Sequence, residues 1–347
     1  MGDSSSSSSS SSSAPLPGVA SGRVRWAVNS STWQPAHGAG GAEFRFLLSL
    51  VPETEERAAV ERFVFFEDQK RALLSRLLCR RACAAVLGLR SFQALEICRT
   101  KGRKPFLKSP RPSRLPDLAN FNFNVSHEGD WVVLASEPLC VCGVDVAAPA
   151  AARSASHGAN LVDLRDFEEQ LAEEEWEQVR LAAAGEADSI FSTGGYGTFQ
   201  RFWSAKEAFV KARGDGLGFE PLSRALFRFQ PLDGSDPLAS PKARSYVASV
   251  LVDGNPADRW RFFQHQLGEG HWVTVSRGPS SDVVDHIGEF AKTFVRPTSS
   301  FSSEEWEGEL ACESPHFDEL SVATLVPEDA ISDFLRVTTC HAVGPES

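Results

Sequence analysis

Hydrophobic and polar residues first form a regular pattern at residues 24–28, a short stretch typical of a β-strand. From residue 52 to residue 89 the apolar residues recur at helical spacing, and Gly88 provides a stop, so one or two helices are expected there. Residues 1–21 are a low-complexity run of Ser with Gly, Pro and Ala. Such a run cannot bury enough apolar surface to order itself, so we exclude it from the predicted fold.

The central part of the chain predicts a loop followed by three strands. Residues 99–118 are rich in Pro, Lys and Arg without periodicity, which indicates a loop. Residues 121–126 alternate strictly, so Phe and Val side chains share one face of a strand and Asn and Ser side chains share the other. The Gly-Asp pair at 129–130 predicts a hairpin turn into a strand at 131–136, and a third strand covers 139–146.

After residue 163 the order of helix and strands repeats. An acidic helix extends to Leu181, a glycine-rich loop follows at 194–197, and a strong helix covers 199–212. Because helix followed by antiparallel-looking strands occurs twice, we predict an α+β fold. It would be a pseudo-dimer of two similar halves, each a small antiparallel sheet packed on a long helix. The strands expected in the second half are 225–229, 245–252, 260–264 and 272–276.

The same pattern sets the predicted domain boundaries. A disordered N terminus at 1–21 precedes a first half at 22–138 and a second half at 139–280. Residues 281–347 are acidic, Ser-rich and irregular, and we expect a tail with one or two short helices.

Composition restricts the class of protein. The 347 residues include 42% hydrophobic residues, enough to bury a sizeable core. The net charge of -11 argues against a general nucleic-acid coat. The seven cysteines contain no CxxC pair, which favours free thiols in a reducing compartment. No signal peptide and no apolar run long enough to cross a bilayer are found, so we expect a cytosolic protein without a membrane contact.

Asp145 is the first candidate for chemistry. It lies inside the apolar strand Val141–Val146, where burying a lone carboxylate is costly unless a cation or several donors meet it. A metal ion would meet this need. The alternative is an Asp at the end of a strand that caps a loop.

The helix at 201–212 is the second candidate. Trp203, Glu207 and Lys211 are spaced by four residues and share one face. A surface Glu-Lys pair, worth about 0.3–0.5 kcal/mol, is the common reason for such spacing. The Trp on the same stripe instead favours a Glu that lines a cleft.

Basic residues are concentrated between positions 70 and 114, against the single acid Glu96. In a chain of net charge -11 this indicates a polyanionic ligand, either a nucleotide with several phosphates or a nucleic acid. A solvated basic helix and loop is the alternative. His127, directly after the alternating strand, can meet a phosphate there or serve as a structural histidine. The basic residues are Lys70, Arg71, Arg76, Arg80, Arg81, Arg90, Arg99, Lys101, Arg103, Lys104, Lys108, Arg111 and Arg114.

These signals are weak separately, but their order resembles that of a known family. The order is Arg76 in a helix, RTKGRKP at 99–105, NFNVSH at 122–127, GVDV at 143–146 and WSAKEAFVKA at 203–212. This series resembles the 4′-phosphopantetheinyl transferase superfamily in its long, two-half form, over about residues 24–276. The resemblance implies Mg²⁺-dependent transfer of the 4′-phosphopantetheine arm of coenzyme A to a serine of a carrier protein, with release of adenosine 3′,5′-bisphosphate.

The resemblance also implies roles for single residues. Asp145 and Glu207 would hold Mg²⁺ against the coenzyme A diphosphate, and Glu207 and Lys211 would take part in catalysis. Bacterial relatives often carry a second acid two residues after the strand Asp, where this chain has Ala147. The ion would then have fewer protein ligands and more water, which Mg²⁺ tolerates. The residues expected to bind coenzyme A are Arg76, Arg99, Lys104, Ser126, His127, Asp145, Lys206 and Lys211.

The partners implied are acyl carrier protein and the carrier domains of fatty acid synthase and of aminoadipate-type reductases, which links the chain to fatty acid and lysine metabolism. We expect a monomer that binds no nucleic acid. The competing hypothesis is a non-catalytic module that binds RNA or another polyanion through residues 70–114.

Overall fold

A computed structural model of the chain describes residues 15–112, 116–149, 164–184, 193–232 and 245–339. Arg114 and Cys340 lie outside these ranges, as do the first fourteen residues of the predicted disordered N terminus. The helices in the described ranges are α1 (Ala42–Ser49), α2 (Thr54–Glu61), α3 (Phe66–Leu87), α4 (Glu173–Ala183), α5 (Thr193–Arg213), α6 (Ser303–Ala311) and α7 (Ile331–Thr339). The strands are β1 (Arg25–Asn29), β2 (Glu96–Arg99), β3 (Pro105–Ser109), β4 (Asn122–Glu128), β5 (Trp131–Glu137), β6 (Val141–Ala147), β7 (Ala225–Pro231), β8 (Ser245–Val252), β9 (Asn255–Pro256), β10 (Arg261–Leu267), β11 (His271–Gly278) and β12 (Asp318–Glu319).

The first half is a four-stranded sheet covered by the long helix α3. The strand order is β12-β1-β5-β4, and the β1–β5 and β5–β4 pairs are antiparallel. Four leucines of α3 are fully buried in the core that covers this sheet, because their spacing places them on one face of the helix. They are Leu73, Leu74, Leu77 and Leu78. Gly88 ends the helix with a φ of 65°, a left-handed conformation that glycine adopts without strain.

The second half repeats this plan. Its strands follow the order β6-β11-β10-β8-β7, with β9 paired to β8, and every pair is antiparallel. Helix α5 packs on this sheet through buried aromatic residues such as Phe199, Phe202 and Phe209. The predicted α+β fold of two halves, each a small antiparallel sheet packed on a long helix, is confirmed.

The two sheets meet along their edge strands, β4 and β6. Alternate side chains of β4 accept hydrogen bonds from alternate backbone N–H groups of β6. The pairs are Asn122 Oδ1 with Cys142 N (2.9 Å), Asn124 Oδ1 with Val144 N (2.9 Å), Ser126 Oγ with Val146 N (3.5 Å) and Glu128 Oε2 with Ala148 N (2.6 Å). An unpaired edge would leave buried N–H groups unsatisfied. The polar face of the alternating strand therefore joins the two halves.

Glycine permits two close approaches that position α5. A Cβ on Gly143 in β6 would lie 2.1 Å from the carbonyl oxygen of Ala208, so only glycine lets the helix lie this close to the strand. At the end of the helix, a Cβ on Gly102 would lie 2.6 Å from the carbonyl oxygen of Gly214. The tip of the β2–β3 hairpin thus rests on the end of α5.

The segment after residue 280 packs back on both halves. Strand β12 pairs in parallel with β1, and Phe334 of α7 is buried in the core of the first half. Arg277 at the end of β11 donates hydrogen bonds to the carbonyl oxygens of Cys312 and Glu313. The described part of the segment contains two short helices, and the division of the chain at residues 21, 138 and 280 stays a prediction.

Two local predictions are wrong. Within 99–118 the chain forms the hairpin of β2 and β3 rather than a loop throughout. Proline disfavours strands, but Pro105 stands at the first position of a strand in a two-stranded sheet, where it is tolerated. Residues 194–197 are the first turns of α5, because Tyr196 and Phe199 are buried in the core and stabilise a helix that its glycines disfavour.

The other predicted helices and strands in the described ranges are confirmed, with shifts of a few residues at their ends. The acidic helix is shorter than expected, since a 3-10 turn at Leu164–Phe167 precedes α4. Within the described residues, no helix is both long and apolar enough to pass through a membrane.

Candidate active site

A cleft of about 510 Å³ opens where the two halves meet. One wall is the tip of the β2–β3 hairpin with part of β4, and the other is the C-terminal half of α5 with the segment from 166 to 170. Trp203, Glu207 and Lys211 all line it, as their spacing of four residues requires of one helix face. The predicted placement of Glu207 in a cleft, next to an aromatic residue, is therefore seen in the structure.

Three residues predicted as site residues form one hydrogen-bonded group beside this cleft. Lys211 Nζ donates to Asp145 Oδ1 and to Ser126 Oγ, the latter at 3.0 Å, and Ser126 Oγ donates to Asp145 Oδ1 at 2.8 Å. Asp145 is 5% exposed, whereas the side chain of Lys211 remains 31% exposed. The strand carboxylate thus has a cation partner that is still accessible to a ligand.

Glu207 acts on the same ammonium group. Desolvation opposes the charge of Lys211, but Asp145 and then Glu207 raise its pKa above the usual value for lysine. Glu128, at the end of β4, adds to this effect. The site therefore holds a protonated lysine that contacts one carboxylate, Asp145, and is influenced by the charges of two others, Glu207 and Glu128.

Asp145 and Glu207 offer carboxylate oxygens, the type of ligand that a hard divalent cation prefers. Both already attract one cation, the ammonium of Lys211. Within the described ranges, no group of three or more His, Cys, Asp or Glu side chains is arranged so that it could hold a metal ion. A cation held by Asp145 and Glu207 would take its remaining ligands from water and from a bound phosphate.

Lys104 is close to this group but faces the backbone. Its Nζ donates to the carbonyl oxygens of Cys142 (2.5 Å) and Lys211 (2.9 Å), and the residue is 4% exposed. Desolvation lowers the pKa of Lys104 to about 8, and repulsion from Lys211 acts in the same direction. Lys104 therefore fastens the hairpin to β6 and to the end of α5.

Arg76 and Arg99 meet on a carboxylate that the sequence did not single out. Glu56 of α2 forms ion pairs with Arg76 Nε at 2.6 Å and with Arg99 Nε at 3.1 Å. Arg99 also lines the cleft. Both arginines belong to the first half, Arg76 in α3 and Arg99 in β2. The structure brings these two predicted phosphate-binding residues together.

His127 lies on the opposite face of β4 from Ser126, because side chains alternate along a strand. The residue is exposed. Local desolvation lowers the pKa of His127 to about 4, and Lys211, Arg71 and Arg76 add electrostatic repulsion. The histidine is therefore uncharged at neutral pH and surrounded mainly by positive charge.

Lys206 is a predicted site residue that does not line the cleft. It is fully buried, forms an ion pair with Glu175 of α4 at 2.7 Å, and donates to the carbonyl oxygens of Leu222 and Ala225. Desolvation raises the pKa of Glu175 and lowers that of Lys206. As placed, Lys206 joins α4, α5 and β7 rather than facing the cleft, so we leave it out of the site proposed below.

Much of the basic segment 70–114 is neutralised within the protein. Ion pairs connect seven of its arginines and lysines to acids of the same or of neighbouring elements, so the segment is not an open positive surface. The pairs are Lys70–Glu67, Arg71–Asp68, Arg76–Glu56, Arg80–Glu53, Arg90–Glu328, Arg99–Glu56 and Lys108–Glu96. This pairing weakens the hypothesis of a general polyanion-binding module.

Glu56, Asn124 and Glu128 are functional candidates that sequence reasoning missed. Asn124 lines the cleft, and Glu128 acts on Lys211. The alternation of polar residues along β4, extended by two positions, is the signal that could have found Glu128. Glu56 carries no such signal, since its role depends on arginines 20 and 43 positions away.

Comparisons with known proteins give a consistent result. The family described as "4'-phosphopantetheinyl transferase, N-terminal" matches residues 31–139, and the "4'-phosphopantetheinyl transferase superfamily" matches residues 141–276. Similar proteins include the L-aminoadipate-semialdehyde dehydrogenase-phosphopantetheinyl transferases of Homo sapiens and Pongo abelii. Each is 32% identical over 256 residues, covering 73% of this chain and 74% of the relative. A phosphopantetheinyl transferase of Thraustochytrium is 32% identical over 255 residues, or 72% of this chain and 77% of the relative.

Proposed function

This chain belongs to the 4′-phosphopantetheinyl transferase superfamily, and we propose that it transfers the 4′-phosphopantetheine arm of coenzyme A to a carrier-protein serine in a Mg²⁺-dependent reaction. The leaving group would be adenosine 3′,5′-bisphosphate. The observation that carries the proposal is the ammonium of Lys211, which meets Asp145 directly and lies in the field of Glu207 at a cleft between the two halves.

Asp145 and Glu207 are the residues that would hold Mg²⁺. Both act on one ammonium group, and both offer the oxygen ligands that this ion prefers. When bound, the ion supplies neutralising charge for the diphosphate. Glu128 lies near enough to Lys211 to influence the same charge balance.

The protein residues then divide the work of phosphoryl transfer. The serine oxygen forms a bond to the β-phosphorus, and the bond from that phosphorus to the bridging oxygen of the diphosphate breaks. Glu207 accepts the serine proton, since it is a cleft-lining carboxylate. Lys211 stabilises the negative charge on the departing nucleotide, because its raised pKa keeps it protonated at neutral pH.

The nucleotide end of coenzyme A would lie toward the first half. Arg76, Arg99 and His127 are the candidates for phosphate contacts, and Ser126 orients Lys211 and Asp145. Lys104 would act by fixing the hairpin beside the cleft.

The proposed acceptors are acyl carrier protein and the carrier domains of fatty acid synthase and of an aminoadipate-type reductase. The human relative is named after an L-aminoadipate-semialdehyde dehydrogenase, which supports a reductase of this type as an acceptor. The six described cysteines are all free, which supports a reducing compartment such as the cytosol.

The test is incubation of the protein with coenzyme A, Mg²⁺ and a panel of apo carrier proteins, followed by intact-mass analysis of each carrier. We expect one phosphopantetheine to be added to the carrier serine. Glu207→Gln should slow this addition by about 10²–10³-fold, since it removes the proposed proton acceptor and metal ligand. Glu174→Gln is a matched control, because Glu174 is an exposed acid of α4 outside the cleft.

Two results would contradict the proposal. The first is an unchanged mass for every apo carrier. The second is equal activity of the Glu207 variant and the control. Salt-sensitive RNA binding that survives Asp145→Ala would instead favour the polyanion-binding hypothesis.

A further inference from the structure

Helix α2 places a carboxylate between two arginines that come from different elements. Oε2 of Glu56 lies 2.6 Å from Nε of Arg76 in α3, and Oε1 lies 3.1 Å from Nε of Arg99 in β2. Arg99 Nη2 also approaches Oε2 at 3.5 Å. One glutamate therefore bridges both guanidinium groups through their Nε atoms.

Glu56 offsets the electrostatic repulsion between the two arginines. Desolvation lowers the pKa of Arg76, Glu56 opposes this effect, and Arg99 lowers the pKa further. Desolvation alone would raise the pKa of Glu56, but Arg99 and Arg76 keep it below its usual value, so the carboxylate is ionised at neutral pH. The net charge of the three groups is then +1, which keeps the pair attractive to an anion.

The two arginines also donate hydrogen bonds to backbone carbonyl oxygens. Arg76 Nη1 donates to the carbonyl oxygen of Ala72 one turn earlier, and Arg99 Nη1 donates weakly to the carbonyl oxygen of Arg103 at 3.3 Å. The contact with Glu56 holds each guanidinium from its Nε atom. The Arg99 side chain remains 35% exposed at the cleft, and that of Arg76 remains 12% exposed.

We infer that Glu56 is a positioning residue that holds Arg76 and Arg99 as a preformed receptor for the ribose 3′-phosphate of coenzyme A. It thereby determines discrimination against 3′-dephospho-coenzyme A. Immobilising a long side chain on binding costs conformational entropy, and Glu56 orders two arginine side chains before the ligand arrives. The inference rests on the proposed function, since it assigns the phosphate that the arginine pair receives.

The test compares the two nucleotides by calorimetric titration of the wild-type protein and of Glu56→Gln. We expect the variant to bind coenzyme A about tenfold more weakly, because the ligand must then order both arginine side chains. Binding of 3′-dephospho-coenzyme A should stay within about twofold, since that ligand does not use the receptor. In steady-state transfer the KM for coenzyme A should rise while kcat is retained.

A matched control is available at the residue that precedes α2. Glu53 pairs with Arg80, one turn further along α3 from Arg76, and does not contact Arg76 or Arg99 in the described structure. Glu53→Gln should therefore leave the ratio of the two affinities unchanged. Within α2 only Val60 is buried, so neither substitution removes core packing, and equal thermal stability of the variants checks this. Glu56→Asp, which keeps the charge, should recover part of the discrimination.

Several outcomes overturn the inference. Tighter binding of coenzyme A by Glu56→Gln would mean that the carboxylate competes with the phosphate. An equal loss for both nucleotides would mean that the role is general and structural. Equal binding of both nucleotides by the wild-type protein would exclude a 3′-phosphate receptor. A wild-type protein that transfers phosphopantetheine while Glu56→Gln changes nothing defeats the inference alone, whereas a wild-type protein with no transfer defeats the proposed function.

Discussion

Two carboxylates near the junction of the sheets have opposite surroundings. Glu137, at the end of β5, forms ion pairs with Arg25, with Arg277 at 2.7 Å and with Arg23 at 3.4 Å. The side chains of Glu137, Arg25 and Arg277 are all 0% exposed. Asp145, in β6, meets a lysine whose side chain is 31% exposed at the cleft. One network is closed by protein groups, and the other is open to a ligand.

The difference shows how burial alone fails to identify a site. Arg277 carries the first network onward to the carbonyl oxygens of Cys312 and Glu313, so Glu137 connects both sheets with the C-terminal segment. Its pKa is lowered, because the arginines outweigh the desolvation that would raise it. Asp145 instead has a partner that a phosphate can recruit. We therefore expect changes at Glu137 to affect stability and changes at Asp145 to affect transfer.

Glu137→Gln is the change with the largest expected effect. It leaves two buried arginines without a counter-charge, and breaking a buried ion pair in this way costs about 3–5 kcal/mol. The free energy of unfolding, measured by urea titration, should fall by that amount. Glu309→Gln is the control, since Glu309 pairs with Arg23 at a partly exposed position and should cost less than about 1 kcal/mol. Equal losses of unfolding free energy for the two variants would show that the buried network of Glu137 contributes no more to stability than a partly exposed ion pair.

Asp145→Asn should slow transfer strongly and change stability little. We expect transfer to a carrier protein to slow by about 10²–10³-fold, which corresponds to about 3–4 kcal/mol of transition-state stabilisation. The free energy of unfolding should change by less than about 1 kcal/mol, because Ser126 still donates to the amide oxygen and Lys211 can reach solvent. Stability measured with and without coenzyme A and Mg²⁺ separates the two effects. A large loss of stability with retained transfer would make Asp145 a structural residue.

The sequence identified Asp145 but not Glu137, and the reason is local context. Asp145 is surrounded by Val, Cys and Gly in one strand, so its burial could be inferred from neighbours. Glu137 ends a strand next to Ser136 and Pro138, where an exposed acid is expected, and its partners are up to 140 positions away. Long-range pairing of this kind has no periodic signal. Both halves of the fold were predictable because hydrophobic periodicity is local.

The same distinction explains the site residues. Glu207 and Lys211 were found because helical spacing places them on one face of α5. The contact of Lys211 with Asp145 occurs where α5 packs closely on β6 at Gly143. Lys206 lies next to Glu207 in the chain, so it projects from another face of the helix and reaches Glu175 instead. A motif read as a string does not separate these directions, whereas the geometry of the helix does.

Gly143→Ala tests the open network without touching a charged group. The added Cβ would meet the carbonyl oxygen of Ala208 at 2.1 Å, so α5 must move away from β6. We expect a loss of about 1–3 kcal/mol in the free energy of unfolding from overpacking. Transfer should fall as well, because Lys211 and Glu207 move relative to Asp145. Gly197→Ala is the control on the same helix, since a Cβ at Gly197 would have no neighbouring atom within 4 Å. Unchanged transfer by Gly143→Ala would show that the spacing is not needed.

The smallest expected effect concerns the charge on His127, which lies on the face of β4 opposite Ser126. Desolvation lowers its pKa from 6.5 to about 4, with further lowering by Lys211, Arg71 and Arg76 and a smaller opposing effect of Asp68. An unfolded chain binds the proton near pH 6.5, so the stabilising contribution of neutral His127 is complete above that pH and is lost as the pH falls toward 4. Imidazole proton resonances, assigned with His127→Gln, should therefore titrate below pH 6 in the free protein. Coenzyme A should raise this midpoint, because a phosphate favours the charged imidazole. A midpoint at or above 6.5 without ligand would mean that neither desolvation nor the nearby cations lower the pKa of His127.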